Sequence, residues 1–251
     1  MAYKPRVRGE SGIYHIVTKG INSKNIFNEI SDKEYFIKIL ERAKRKYNFN
    51  LYGYALMSNH FHLLLEEGEY DSISTILQSI KVSYINYYNK KYGRTGTIYN
   101  GRFHSEPVEN NEYLIAVLRY ITQNPIKIGE TLEWTNYREL ILFTKNQLTD
   151  RSKVLKLIFG YKQRYNKKRI EKFLLTKYEK DCLEISNSRP VSDKAAKKII
   201  MAEIAKMASC KEFVKNINKY RGIINRIKKE RVSLLQISRI LGVNKNRIYK
   251  I

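Results

Sequence analysis

The sequence predicts an α+β fold for about the first 140 residues, followed by an all-α basic C-terminal region. Two observations support this prediction. Strand-like and helix-like segments follow one another in the order β-α-β-β-α-β-α up to about residue 140. This order is typical of an antiparallel sheet with helices packed on one face, as in split βαβ proteins. After about residue 144 the strand-like segments end, and lysine-rich helical patterns replace them.

Four segments have the composition of strands. Residues 13–18 are β-branched and aromatic, and Gly20 closes them. Two further strands are predicted at 51–57 and 61–66, joined by a tight turn at Ser58 and Asn59. A short strand is expected at 103–108.

Three segments have the periodicity of helices. Residues 31–46 begin with Ser31 and Glu34, which have the spacing of a capping box. Residues 71–92 place apolar side chains at helical spacing. A third helix is predicted at 112–123, because Pro125 disfavours helical continuation.

The chain beyond residue 143 divides into two predicted parts. Residues 144–195 are expected to form a basic helical arm, and 196–251 a helical DNA-binding domain. The last segment, 233–251, resembles a helix-turn-helix with its turn at Gly242. Its second helix would present Asn244, Lys245, Asn246 and Lys250 to DNA. An ordinary helical hairpin is the alternative.

The charge of the chain is strongly positive and unevenly distributed. There are 48 Lys and Arg residues against 24 Asp and Glu, a formal charge of +24. Residues 1–140 account for +4 and residues 141–251 for +20. Such a block indicates a polyanionic partner, nucleic acid first and an anionic membrane surface second.

Other composition features favour a cytoplasmic, nucleoid-associated protein. There is no apolar run long enough to span a bilayer and no secretory signal pattern. The two cysteines, Cys182 and Cys210, lie far apart without a CxxC pattern, so neither a disulfide framework nor a cysteine zinc site is indicated.

Two of the four histidines, His60 and His62, lie two residues apart in a predicted strand. Alternate strand residues point to one face, so both imidazoles should project together. Two imidazoles on a rigid sheet supply much of a metal site. Two solvated histidines at a strand edge are the alternative.

The third helix offers a nucleophile and a further ligand. Tyr120 and Asn124 are four residues apart, hence on one helix face. A tyrosine can attack a phosphodiester and hold the 5′ phosphate covalently while the 3′ hydroxyl leaves. Because the chain has 20 tyrosines, this pattern alone does not single out Tyr120.

Residues 8–130 resemble the REP-associated tyrosine transposases, a branch of the single-tyrosine HUH superfamily. Four ordered motifs carry the resemblance. They are Tyr14-His15 with Gly20 and Ile26-Phe27, the stretch Tyr54 to His62, the stretch Gly101 to Ser105, and Glu112-Tyr113-Leu114 with Arg119 to Pro125.

The resemblance implies a ferredoxin-like sheet and a metal-dependent enzyme that cuts and rejoins single-stranded DNA, typically at hairpin-forming repeats. It assigns divalent metal binding to His60 and His62 and the nucleophile to Tyr120. Mg²⁺ or Mn²⁺ is expected for phosphoryl transfer, whereas imidazole ligands alone would favour zinc. A homodimer is compatible with the sequence.

Asn124 departs from related insertion-sequence transposases, which often have Gln or a stronger ligand four residues after the tyrosine. Its shorter amide would reach a metal directly or through water. Arg102 and His104 are expected to contact DNA phosphates, whereas His15 is expected to be packed or hydrogen-bonded.

Two other functions are compatible with the sequence. One is a non-catalytic, sequence-specific DNA-binding regulator on the same fold. The other is a single-strand RNA binder that uses Tyr84, Tyr87 and Tyr88 for stacking. The joint presence of His60, His62 and Tyr120 argues for the enzyme.

Overall fold

The computed structural model describes residues 9–142, 147–160, 166–176, 182, 193–205, 221–230, 232 and 234–243. The chain divides into two compact units, Met1–Ile185 and Ser186–Ile251.

The first unit contains a four-stranded sheet and six helices within these described ranges. In chain order its elements are β1 (Ile13–Lys19), α1 (Ile30–Tyr47), β2 (Asn50–Met57), β3 (His60–Glu66), α2 (Ile73–Tyr92), β4 (His104–Pro107), α3 (Asn111–Lys127), α4 (Tyr137–Ile141), α5 (Arg151–Phe159) and α6 (Lys167–Leu175). Short 3₁₀ turns lie at Ile21–Ser23 and Leu132–Trp134.

The sheet has the strand order β2-β3-β1-β4, and every neighbouring pair is antiparallel. With α1 between β1 and β2 and α2 between β3 and β4, this is the ferredoxin-like arrangement. The predicted fold class is therefore confirmed.

The prediction that helices cover one face of the sheet is wrong in one respect. Helices α1 and α2 pack on the face that carries Phe61, Leu63 and Leu65. Helix α3 packs on the opposite face, against Leu64 and its neighbours. Strand β3 is buried on both sides from His60 to Leu65, and a sheet with two apolar faces needs a layer on each.

Close contact between α3 and the sheet depends on a glycine in β2. A Cβ built on Gly53 would lie only 3.0 Å from the Leu118 side chain of α3. The missing side chain lets the helix approach the strand. This packing brings the residues on the inner face of α3 next to β3.

Two helix ends differ from the predictions. Helix α1 is capped by Glu29 and Asp32, whose side chains form the capping box, rather than by Ser31 and Glu34. Helix α3 continues through Pro125 to Lys127. A proline removes only one backbone donor, and the buried inner face of α3 holds its last turn against the sheet.

The tyrosines of α2 belong to the core. Tyr84 is fully buried and donates a hydrogen bond to the Ile26 carbonyl, and Tyr88 is also buried. Tyr87 stacks on Tyr35 of α1. They therefore do not form a stacking platform for RNA.

Part of the predicted basic arm, 144–195, packs in the first unit. Buried side chains of α5 and α6 join the core beneath α3, including Leu155, Ile170 and Leu174. The first unit accordingly extends to Ile185, well beyond the predicted boundary at residue 143. The assignment of separate functions to 1–143, 144–195 and 196–251 stays a prediction.

The second unit contains α7 (Asp193–Ala205), α8 (Arg221–Lys229) and α9 (Leu234–Leu241) among its described residues. Helix α9 ends at Leu241 and is followed by Gly242, whose φ of +65° suits glycine. The Ser238 hydroxyl donates to the Val243 carbonyl across this turn. The second helix of the predicted helix-turn-helix lies outside the described residues.

None of the described helices combines the length and apolar composition that crossing a bilayer requires.

Candidate active site

Strand β3 places both histidines of the predicted pair on the face that α3 covers. His60 lies opposite Lys19 of β1, and His62 lies opposite Val17 of β1 and Ala55 of β2. The ring centroids of the two histidines are 5.1 Å apart. Both side chains are buried.

Helix α3 brings Tyr120 and Asn124 to the same histidines. The Tyr120 ring centroid lies 5.5 Å from that of His62, and Asn124 Nδ2 lies 3.1 Å from His62 Nε2. The structure thus places all four predicted residues in one cluster. An amide rotated by 180° would present its oxygen at this position instead of its nitrogen.

His15 of β1 is a fifth member of the cluster. Its Nε2 lies 2.9 Å from His62 Nδ1, and its ring stacks on His62 with centroids 5.2 Å apart. It is fully buried. The expected packed, hydrogen-bonded role is confirmed, and His15 holds the side of His62 that faces away from Asn124.

Burial keeps the three imidazoles neutral. Burial lowers the pKa of His15 to about 3. Burial, followed by the positive charge of Lys19, lowers the pKa of His60 to about 4, with Glu130 acting in the opposite direction. The pKa of His62 is well below its usual value, chiefly through burial. A metal ion binds only the neutral imidazole.

The hydrogen bonds around the pair suit metal binding. His60 Nδ1 contacts the side-chain oxygen of Asn59, so its Nε2 is available as a ligand when Nδ1 carries the proton. His62 Nε2 becomes available in the same way when Nδ1 donates to His15 and the Asn124 amide, whose nitrogen contacts Nε2 here, turns its oxygen to this side. Metal-binding histidines usually have their second ring nitrogen held by such a partner.

The candidate metal ligands in this cluster are two imidazoles and one amide. Within the described ranges there is no group of three or more His, Cys, Asp or Glu side chains that could hold a metal ion. A divalent ion here would therefore use His60, His62 and the Asn124 oxygen, with water or phosphate completing its shell. Mixed nitrogen and oxygen ligands fit Mn²⁺ better than Mg²⁺.

Two lysines beside the cluster were not predicted as site residues. Lys19 is the cross-strand partner of His60, and its charge acts on that imidazole. Lys127 Nζ lies 5.0 Å from the centroid of the Tyr120 ring. The seven-residue spacing of Lys127 from Tyr120 could have indicated it, since both lie on one helix face. To identify Lys19 from the sequence would have required the register between β1 and β3.

Glu130 ties the end of α3 to the turn before β3. One carboxylate oxygen accepts hydrogen bonds from the Ser58 backbone N–H at 3.0 Å and from its hydroxyl at 2.7 Å. The other lies 3.6 Å from Lys33. Helix α3, which carries Tyr120, and strand β3, which carries the histidine pair, are thus held together at one end.

Arg102 and His104, which were predicted to contact phosphate, lie at the edge of the sheet that β4 forms. His104 is exposed at the start of β4 and lies opposite Val17. Since Val17 is also opposite His62, the backbone register places His104 on the face of the histidine pair. Arg102 is exposed in the preceding loop. Asn244, Lys245, Asn246 and Lys250 lie outside the described residues.

Residues 10–124 match the family model described as "Transposase IS200 like". The matched part of the chain is similar to IS200-like transposases, and it includes the histidine pair, Tyr120 and Asn124. No curated protein shows significant similarity to the chain.

Solved structures that are similar to this one include the following two. The first is a REP-associated tyrosine transposase bound to a REP hairpin, with 16% identity and a TM-score of 0.48 over 60% of this chain and 94% of that one. The second is a Deinococcus radiodurans R1 protein provisionally described as a transposase, with 15% identity and a TM-score of 0.34 over 52% of this chain and 99% of that one.

The buried histidines predict a loss of stability in mild acid. Their folded-state pKa values lie below the value of about 6.5 expected in the unfolded chain. The unfolded state therefore binds more protons as the pH falls from about 6.5 through the folded values, and the free energy of unfolding decreases. In chelator, urea unfolding at pH 7, 6 and 5 should show this decrease, and His15→Gln should reduce it.

Leu64→Val is the matched control, because it changes packing on the same face without changing a titratable group. It should lower stability by a similar amount at each pH. If the free energy of unfolding fell equally with pH in the wild type and in His15→Gln, this would contradict the assignment of the pH dependence to His15.

Proposed function

We propose that this protein is a metal-dependent endonuclease and strand transferase that acts on single-stranded DNA through a 5′-phosphotyrosine intermediate. The observation that carries the proposal is the packing of Tyr120 and Asn124 against His60 and His62. The proposed nucleophile and the proposed metal ligands meet there, within the residues that match the IS200-like family model.

Tyr120 is the proposed nucleophile. Its phenolic oxygen forms a bond to phosphorus while the bond from phosphorus to the 3′ oxygen breaks. The phenol proton passes to solvent, and the departing 3′ oxygen takes up a proton. One phosphate ester replaces another, so the reverse attack by a 3′ hydroxyl can rejoin a strand without an external energy source.

His60, His62 and Asn124 are the proposed metal ligands. A bound Mn²⁺ or Mg²⁺ would polarise a non-bridging phosphate oxygen and stabilise the charge of the in-line transition state. Two observations support this role: both imidazoles are neutral, and the Nδ1 atom of each has a hydrogen-bond partner, Asn59 for His60 and His15 for His62. Lys19 and Lys127 add positive charge beside the ligand pair and the tyrosine, where a phosphate would bind.

The same chain is proposed to supply the tyrosine and the metal ligands. Arg119 and Gln123 flank Tyr120 in α3 and bind carbonyl groups at the end of α6. Arg119 Nε donates to the Phe173 carbonyl at 2.9 Å, and Gln123 donates to the Leu174 carbonyl at 2.7 Å. These contacts hold the tyrosine helix against its own unit, which supports action in cis.

The C-terminal region is proposed to supply DNA affinity. Residues 141–251 have a net charge of +20, and cation–phosphate contacts release counterions from DNA. Asn244, Lys245, Asn246 and Lys250 are the proposed contacts of a helix-turn-helix. Hairpin-forming repeats remain the expected target from the sequence resemblance.

The nucleophile is tested by Tyr120→Phe. The variant should lose the covalent protein–DNA adduct, because phenylalanine has no hydroxyl to attack phosphorus. It should retain its unfolding temperature within a few degrees and its affinity for DNA. The measurement is denaturing gel electrophoresis of the protein after incubation with labelled single-stranded DNA and Mn²⁺.

Tyr113→Phe is the matched control in the same helix. The Tyr113 hydroxyl donates to Glu106, so its loss should leave adduct formation intact. An adduct that persists in Tyr120→Phe and disappears in Tyr113→Phe would move the nucleophile to Tyr113. DNA binding without any adduct in the wild type would favour the non-catalytic regulator.

The metal is tested by removal and replacement. Excess chelator should stop adduct formation, and Mn²⁺ or Mg²⁺ should restore it, because the transition-state charge needs a Lewis acid. His60→Ala and His62→Ala should each weaken Mn²⁺ binding by about 10-fold or more, since removing even a supporting partner typically costs roughly 10–100-fold. Free Mn²⁺ can be measured by electron paramagnetic resonance.

His104→Ala serves as the control for the metal experiment, because His104 lies at the exposed edge of the sheet. Its Mn²⁺ affinity should equal that of the wild type. Full adduct formation in chelator, or unchanged Mn²⁺ affinity in both His60→Ala and His62→Ala, would refute the metal proposal.

The C-terminal contacts are tested by salt titrations on the full chain. Lys245→Ala and Lys250→Ala should each weaken binding to all DNA sequences and reduce the slope of log affinity against log salt by about 1. Asn246→Ala should narrow the gap between cognate and scrambled duplexes, since asparagine can read adenine in the major groove. Lys38→Ala, an exposed lysine of α1, is the control, and equal effects at Lys38 would contradict a dedicated contact.

A further inference from the structure

A groove of about 370 Å³ lies between α2 and the loop before β4. Lys81, Val82 and Ile85 line it from α2, and Arg102 and Phe103 line it from the loop. Helix α2 packs on the face of the sheet opposite to the histidine pair. The groove is therefore separate from the candidate active site.

The chemistry of the groove is that of a nucleotide site. Lys81 and Arg102 supply positive charge, and none of the described residues that line the groove is acidic. Val82, which is exposed, and Ile85, which is half-buried, supply an apolar surface for a base, whereas Phe103 lines the groove from the core at 8% exposure. Polar groups that can hydrogen-bond to base edges come from Gln78 and Thr97. Single-stranded DNA sites combine a basic groove with apolar and aromatic contacts to bases in this way.

Two features favour an external ligand over internal packing. Val82 is 49% exposed, although it is a large apolar residue. The Lys81 ammonium is held at the groove by a hydrogen bond to the Gly101 carbonyl at 3.1 Å and lies 4.9 Å from the Tyr99 ring centroid. Its charge is thus fixed at the groove by the fold.

The groove lies along a short path from the active site. Phe103 directly precedes His104, the first residue of the edge strand β4. The register joins His104 to Val17 and Val17 to His62. Two strand spacings, about 10 Å, separate His104 from His62 across the sheet. A DNA strand that leaves the histidine pair towards β4 and turns around this edge of the sheet would reach Arg102, which is exposed.

We propose that this groove binds an unpaired nucleotide of the DNA strand that flanks the position of cleavage. The inference rests on the proposed function and adds a second DNA subsite to it. The base would lie on Val82 and Ile85, and the neighbouring phosphates would face Lys81 and Arg102. A strand held at both places would be fixed in register over the tyrosine.

Val82→Glu in full-length Tyr120→Phe protein tests the proposal. The new carboxylate would repel phosphate and replace the apolar contact with the base. Affinity for a fluorescein-labelled 20-nucleotide oligothymidylate, measured by anisotropy, should fall about 10-fold, because the loss of one base contact typically costs roughly 5- to 140-fold. Arg102→Ala should reduce the affinity in the same direction.

Ser83→Glu is the control, because Ser83 is exposed and follows Val82 directly in α2. Consecutive helix residues point about 100° apart around the axis, so the new carboxylate projects from a different side of α2. It adds the same charge outside the groove and should change the affinity less than about twofold. Equal losses for Val82→Glu and Ser83→Glu, or no loss for Val82→Glu and Arg102→Ala with intact unfolding temperatures, would overturn the proposal.

Crosslinking locates the bound strand independently. An oligonucleotide with 5-iodouracil at every position should crosslink to peptides that contain residues 78–85 or 97–103. Crosslinks confined to other parts of the chain would also overturn the proposal. If the wild type binds this DNA and forms the tyrosine adduct while the groove variants match it, only the groove proposal fails. Absence of the adduct in the wild type would instead count against the proposed function.

Discussion

The packing of α3 on β2 and β3 is the constraint on which the site depends. Gly53 lets Leu118 approach the strand, and the apolar residues around it form the second core of the first unit. His62 lies within this layer at 1% exposure. A buried polar ring is costly unless its nitrogens are hydrogen-bonded. Contacts with His15 and Asn124 supply both partners, so the polar cluster and the apolar packing determine the position of α3 together.

This arrangement explains why the site can be preorganised without buried charge. The imidazoles are neutral because burial lowers their pKa values, and the positive groups are the lysines beside them. Glu130 connects the end of α3 to the turn before β3, while Arg119 and Gln123 connect α3 to α6. Helix α3, which carries Tyr120, is therefore held by the sheet on its inner side, by Glu130 at its C-terminal end and by α6 on its outer side.

The sequence was most informative where one element alone determines the geometry. Alternation within a strand places His60 and His62 on one face, and a four-residue spacing places Tyr120 and Asn124 on one face of α3. The roles of His15 and Lys19 depend on the register between β1 and β3, which neither strand's sequence contains. The second helical layer was missed although β3 is apolar at consecutive positions. The Glu29 cap and the continuation past Pro125 depend on tertiary contacts that outweigh local preference.

In the proposed function, the uneven distribution of charge means that affinity for DNA and the chemistry of cleavage depend on different parts of the chain. A site built from neutral imidazoles, an amide and a tyrosine offers little electrostatic attraction to DNA before a metal binds, and residues 1–140 have a net charge of only +4. In the proposed function, most of the long-range attraction to a polyanion would come from residues 141–251, which have a net charge of +20. Phosphate contacts give affinity but no sequence information. In the proposed function, selection of a cleavage position would therefore require contacts with bases, and the groove beside β4 is the second subsite proposed to make them.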